Sequence, residues 1–518
     1  MKVWTSLASG KKIFILATVL LLTTIFAPWG LAVAQTVDQP ENVTKSASAG
    51  SSKVWLPLTL NNNSGAPVLT INHAGSQFTY QNGATCATCH ATQANDVLHS
   101  NHYQWDGKLG GLNDFCEYPD INFIGRLTNL DGISVNGGCA TCHTGMGKKP
   151  SNPTAGVENV DCMMCHSAAY SRNVVKDASG TFKFEPNSGT LTVVKPGRAE
   201  CLRCHAYSGG GDNNKRGDMS SALINPTQDQ DVHMGSGMVC TDCHTTQDHK
   251  IAGRGVDLVV KEAVAMKPCS DCHTAAPHTN SDLNRHTSKV ACQSCHIPTY
   301  GRIVSTDMLR DYRTAEPNAK RLYEPTITRG ANVIPTYGFW NGQSEIYRFM
   351  QPAIAGQSMT TALGGINDSG SKLYPFKTHQ AILPHDPVSG VILPVKSGIL
   401  FQTGNVFNAI TQATVELGIS LPNGYDFIEV KRTMGIYHEM PPASQALTCT
   451  TCHDANRVPF AQLGYTPKTT NSSNGKLLCQ SCHSQKNKWS AAEFFVEVHA
   501  KHVDDKNIAC STCHNFSR

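Results

Sequence analysis

Apolar positions are unevenly spread along the chain. Ile13 to Ala27 forms one apolar run, preceded by Lys2, Lys11 and Lys12 and followed by Ala32-Val33-Ala34. A basic start, a short apolar stretch and a small-x-small site predict a secretory signal over residues 1–34. Left uncleaved, the same run would be a short N-terminal anchor. From Gln35 to about Asn72 the sequence turns rich in Ser, Asn and Thr with little periodicity, which predicts a flexible tether. No second run of membrane-spanning length follows. Two helices are legible further on. One covers Phe407 to Leu417 and is stopped by Gly418 and Pro422. The other opens at Ser490-Ala-Ala-Glu493, a capping box that puts Phe495, His499 and His502 on one face.

Composition makes this sparse patterning a puzzle. Only 40% of the 518 residues are hydrophobic and 7% aromatic, a lean supply for an apolar core of that size. Charged residues are just 16%, so the shortfall does not signal a disordered polyelectrolyte. The net charge is +4, and removing the three signal lysines leaves +1, with no basic run, which excludes a strongly basic nucleic-acid binder.

The cysteines resolve the puzzle. Twenty of the 21 fall into ten copies of C-x-x-C-H. The first five are Cys86/Cys89/His90, Cys139/Cys142/His143, Cys162/Cys165/His166, Cys201/Cys204/His205 and Cys240/Cys243/His244. The remaining five are Cys269/Cys272/His273, Cys292/Cys295/His296, Cys449/Cys452/His453, Cys479/Cys482/His483 and Cys510/Cys513/His514. Two thiols three apart share one side of a helical turn and can add to the two vinyl groups of one haem, while the next residue faces the iron. Structural zinc does not need the following His, a disulfide framework does not need pairs three apart, and a redox C-x-x-C does not recur ten times. Ten covalent haem c groups then supply much of the core. The expected fold is mainly α with much irregular structure, a multihaem cytochrome c organised around a stacked haem array.

Twelve histidines lie outside the motifs. His233, His286, His438 and His502 each shortly precede a motif, and His249 and His278 shortly follow one. With His73, His102, His379 and His499 they are the candidate distal ligands. Iron held by two histidines is closed and suits electron transfer. Residues 297–448 contain no motif, are rich in Pro, Gly, Tyr and Thr, and are too long for a connector. They predict a lobe that covers the haems and walls a channel.

The pattern resembles the octahaem tetrathionate reductase family, which is related to multihaem nitrite reductases and hydroxylamine oxidoreductases. The matching stretches begin with Cys86–His90 followed by His102-Tyr-Gln-Trp105, then Asn113-Asp-Phe-Cys116. Cys201-Leu-Arg-Cys-His205 with Gly209 to Asp218, and Cys292-Gln-Ser-Cys-His-Ile-Pro298, continue the match. Trp340-Asn-Gly342, Tyr374-Pro-Phe-Lys377 with His379, His438 to His453 and Leu463-Gly-Tyr465 complete it. The resemblance covers most of residues 73–465 and eight motifs, an octahaem core, so residues 466–518 are a dihaem extension. It implies one catalytic haem, the second, with a lysine on its distal side and a thiol nearby. Cys116, the odd cysteine, would be that thiol, and Lys215 the lysine, with Lys149 the alternative. A surface lysine at 215 and an inert or intermolecularly bonded thiol at 116 are the competing readings. Arg216 departs from the histidine common at that position in the family, and no C-x-x-C-Lys motif occurs.

Two functions follow. The first is an exported reductase, periplasmic, extracellular or at the cell surface, acting on tetrathionate, nitrite or hydroxylamine. It would draw electrons from a redox partner protein or a quinol-linked cytochrome. The second is a non-catalytic conductor passing electrons to a partner protein, mineral or electrode. Neither needs nucleic acid or a membrane span after signal removal, and self-association is left open. Haem attachment at all ten motifs predicts an intact mass about 6 kDa above that of the processed polypeptide. A smaller gain in electrospray mass spectrometry would contradict it.

Overall fold

A computed structural model describes residues 77–104, 142, 144–145, 156–176, 178, 182–186, 190–253, 257, 264–318, 322–348, 351–418, 424–453, 457–465 and 498–509. The signal, the tether, the capping box at Ser490, and Cys116, Lys149, His73, Cys139, His143, Cys479, Cys482, His483, Cys510, Cys513 and His514 lie outside the described residues.

Around the motifs the chain forms single helical turns. The backbone N–H of His90, His166, His244, His273 and His453 donates to the carbonyl of the first cysteine four residues back, at 2.8–3.1 Å. That bond closes one turn and brings both thiols and the imidazole to one side. Longer helical pieces extend some of these turns: α1 (Arg198–His205) carries the fourth motif and α3 (Cys292–His296) the seventh, preceded by α2 (Ser281–His286).

The motif-free stretch is different, and it corrects the expectation of a mainly α chain. It folds into a six-stranded mixed sheet of β1 (Thr306–Pro317), β2 (Tyr323–Gly330), β3 (Thr336–Trp340), β4 (Gln357–Ser358), β5 (Lys372–His385) and β6 (Asp426–Gly435). The order is β4–β6–β5–β1–β2, with β3 also on β5. β5 and β6 pair antiparallel from Phe376↔Gly435 to His385↔Asp426, β1 joins β5 in parallel, and β2 folds back on β1. The Tyr- and Thr-rich composition of this lobe suits a pleated, half-buried surface. Along β6, Val430, Arg432 and Met434 alternate inward. An arginine in that row needs an internal partner, described below.

The sheet packs on α4 (Val406–Leu417), close to the helix predicted from sequence. Asn405 caps its first turn by accepting from Asn408 N at 2.9 Å, and Gly418 ends it at φ 66°. Ala409, Ile410, Ala413 and Thr414 form its buried stripe, and Ile410 packs with Tyr312, Leu383, Ile392, Leu400 and Val430. α5 (Cys449–Cys452) carries the eighth motif just beyond the lobe.

Ile410 is fully buried in this apolar cluster. Truncation to Ala is expected to destabilise the lobe by roughly 2–5 kcal/mol. Denaturant melting followed by far-UV circular dichroism would show it, and an unchanged midpoint would contradict the packing.

Candidate haem sites and the lysine-bearing cleft

The motif turns place their histidines opposite histidines from elsewhere in the chain. His205 faces His102, His273 faces His233, His244 faces His438, His296 faces His278 and His453 faces His286. Ring centres are 6.1–6.2 Å apart in all five pairs, while interplanar angles range from 15° to 77°. Direct ring packing would favour particular angles and let the distance vary. A constant distance with a free angle is what a shared central atom imposes. Two imidazoles on opposite sides of an iron, with bonds of about 2 Å, have centres roughly 6 Å apart. The residues therefore fit haem iron.

Ring orientation is fixed from behind. Nδ1 contacts a backbone carbonyl in His244 (Ala252 O, 2.8 Å), His286 (Asp282 O, 2.7 Å), His166 (Val194 O, 3.1 Å) and His502 (Val498 O, 2.8 Å). Donation from Nδ1–H leaves Nε2 as the free ligand. His99, unassigned from sequence, shares this arrangement, its Nδ1 lying 2.7 Å from Asn95 O. The available signal was its position one turn past Asn95 in a short helix. His438 instead meets the fully buried Asp218 carboxylate, Nδ1 to Oδ2 3.3 Å. Burial alone would raise the Asp218 pKa, but His438 and Arg216 outweigh it and hold the carboxyl down at about 2.

Cysteines of different motifs touch, which orders the sites. Cys86 meets Cys162, Cys142 meets Cys204, Cys201 meets Cys240, Cys269 meets Cys292 and Cys295 meets Cys452. Cys165 also lies within electrostatic reach of Cys204, and Cys272 of Cys243. The motifs therefore adjoin in the order one, three, four, five, six, seven, eight, with the second branching from the fourth. Cys89 and Cys449 complete their described turns.

Lys215 lies on the loop that follows the fourth motif. Gly209 enters this loop at φ 84°, and a Cβ there would stand 3.2 Å from Lys215 N. The lobe grips the loop through its backbone. Lys377 on β5 donates to Asn214 O (2.7 Å), Lys215 O (3.0 Å) and Thr306 Oγ1 (2.6 Å), while Arg310 donates to Gly209 O (2.9 Å). Burial pushes the Lys377 amine down to about 7. Its three acceptors nevertheless use three N–H groups, so this packing selects the ammonium.

The Lys215 amine stands 3.7 Å from Asp257, whose carboxylate also takes Arg432 Nε at 2.6 Å, the internal partner that β6 required. Burial opposes ionisation of Asp257, but Arg432 and Lys215 prevail and lower its pKa. Lys215, Arg310, Lys431, Arg432, Asp307 and His379 line a cleft with Tyr312, Met359 and Met434. Sequence reasoning missed Asp257, Asp307, Arg310 and Arg432, because nothing local distinguishes them.

Other sequence candidates lie elsewhere. His379 hydrogen-bonds Asp307 through Nε2 at 3.1 Å on the lobe sheet and stands in the cleft, outside the five pairs. Burial, opposed by Asp307, lowers its pKa to about 4. His249 lies 4.0 Å from Asp96. Arg216 is used structurally, donating to Gly435 O at 2.6 Å and covering the Tyr437 ring. His499 and His502 lie on the turn around Ala500–Asp504.

Comparisons with known proteins agree with this geometry. Residues 226–297 match the family model for cytochrome c7 and related cytochrome c, and residues 317–456 the model for bacterial cytochrome c. An uncharacterized protein of Archaeoglobus fulgidus is 31% identical over 239 residues, covering 35% of this chain and 79% of that protein. The crystal structure of octaheme cytochrome c from Shewanella oneidensis superposes with a TM-score of 0.60 at 26% identity, covering 79% of this chain and 97% of the other. With its paired histidines and repeated C-x-x-C-H turns, the chain belongs to the multihaem c-type cytochromes, in one family with the Archaeoglobus protein.

Proposed function

We propose that the protein is an exported decahaem cytochrome that reduces a small oxidised sulfur or nitrogen compound, such as tetrathionate, nitrite or hydroxylamine. His102, His233, His278, His286 and His438 would hold the fourth, sixth, seventh, eighth and fifth haems together with the motif histidines. When bound, the haems supply one-electron transfer and, at an open iron, a coordination site. The observation that carries the reading is the Lys215 cleft: a buried amine among Arg310, Arg432 and Lys431, on the loop after the fourth motif, whose Cys204 touches Cys142 of the second.

An amine must be neutral to bind iron, whereas Asp257 favours the ammonium. Asp257 therefore holds Lys215 as the ammonium, and only the neutral amine could serve as a haem ligand. With the ammonium held at Asp257, Lys215, Arg310 and Arg432 give the cleft a positive lining that would draw in an anion. Lys377 and Thr306 keep the backbone of this loop fixed. Cys116 would contact a sulfur substrate.

A second reading, a pure conductor, is favoured by the way the motifs adjoin from the first site to the eighth. Reduced-viologen assays with the three substrates separate the two. The reductase reading expects turnover that falls roughly a hundredfold in Lys215→Met and Cys116→Ser. Turnover no faster than free haem with every substrate contradicts it. Ligation of the fifth haem by His438 has its own test. Asp218→Asn removes the anion behind the ligand and should raise that haem's reduction potential. Spectroelectrochemistry that superimposes on wild type contradicts the assignment.

A further inference from the structure

The C-terminal segment 498–509 is seated on the eighth haem site from both sides. On the motif side, Asp504 accepts from Thr450 Oγ1 at 2.9 Å, and Thr450 lies inside the Cys449–Cys452 turn. On the opposite side, Asn507 accepts from Asn280 Nδ2 at 2.8 Å. Asn280 is the N-cap of α2, whose last residue is His286, the partner of His453. Its Oδ1 already accepts from Asp282 N at 2.8 Å, so the contact with Asn507 uses the amide's other end. One short segment thus touches both helices that hold the two imidazoles of this site.

The segment is internally braced for that seat. Asp505 N donates to Ala500 O at 2.9 Å, and Ile508 N to His502 O at 2.7 Å. Asn507 takes φ 52°, a left-handed turn that asparagine tolerates. Covalent continuity carries the consequence onward. Cys510, the first cysteine of the tenth motif, directly follows Ala509 in the sequence.

We propose that segment 498–509 seats the C-terminal extension on the eighth haem site, making that site the junction between the extension and the rest of the array. The inference rests on the decahaem reading for what the extension carries. It gives the chain a direction. The extension joins at the eighth motif, and the Lys215 cleft lies by the fourth, with the seventh, sixth and fifth motifs between them. The extension then joins the array as a port for a redox partner, with three motif sites between that junction and the one beside the cleft.

The test uses full-length holoprotein and two kinds of variant. Asp504→Ala/Asn507→Ala breaks both contacts without touching a ligand. Hydrogen-exchange mass spectrometry should show exchange at least tenfold faster in 498–509 and in 279–287, with the intact mass changed only by the substitutions. Cys510→Ser/Cys513→Ser removes the tenth attachment, and a redox titration should then show a shifted potential for at least one remaining haem. Unchanged exchange in 279–287, or a titration of the other haems that superimposes on wild type, overturns the proposal. Intact mass keeps the premise separate: a wild-type chain without a tenth haem sinks the decahaem reading, while the exchange experiment still reports on the seat.

Discussion

The structure depends on the distance between two imidazoles. In five places a motif histidine and a second histidine have ring centres 6.1–6.2 Å apart, and three of the pairs, His102–His205, His244–His438 and His286–His453, join residues far apart in sequence. His438 reaches back to His244, and His453 to His286, so the motif-free lobe is pinned at its C-terminal end to the motifs that precede it. Haems held by such histidine pairs and by thioether tethers would do what an apolar core does elsewhere, and short turns suffice around the motifs. The lobe has no such groups and must supply its own sheet and apolar cluster.

That division accounts for the cleft. The glycine-rich loop after the fourth motif has few side chains with which to hold itself, and the lobe holds it by backbone carbonyls through Lys377 and Arg310. The charges needed for that grip are buried, and they are balanced in place: Asp257 between Arg432 and Lys215, Asp307 between Arg310 and His379, Asp218 between Arg216 and His438. Removing one member of such a cluster leaves a buried charge unpaired, which costs more than the pair contributes. The same cluster that fixes the loop therefore gives the cleft its basic lining.

Much of the haem chemistry was legible in the sequence, because C-x-x-C-H is a local signal whose spacing is that of one helical turn. Proximity to a motif singled out His233, His278, His286 and His438, which the fold sets opposite motif histidines. His379 stands far from any motif in sequence, and its strand turns it toward Asp307, while His99, close to the first motif, was left unassigned. The sheet was not legible, because β5 is paired on both sides and its exposure pattern does not alternate cleanly. Asp257 and Arg432 are 175 residues apart in sequence, and only the fold joins them.

The account stands or falls on whether paired histidines hold the irons. Electron paramagnetic resonance of the ferric holoprotein, compared with His233→Ala, tests it most directly. The account predicts that one haem's worth of low-spin signal becomes high-spin while the covalent haem content stays the same. A low-spin spectrum unchanged by the substitution would contradict it.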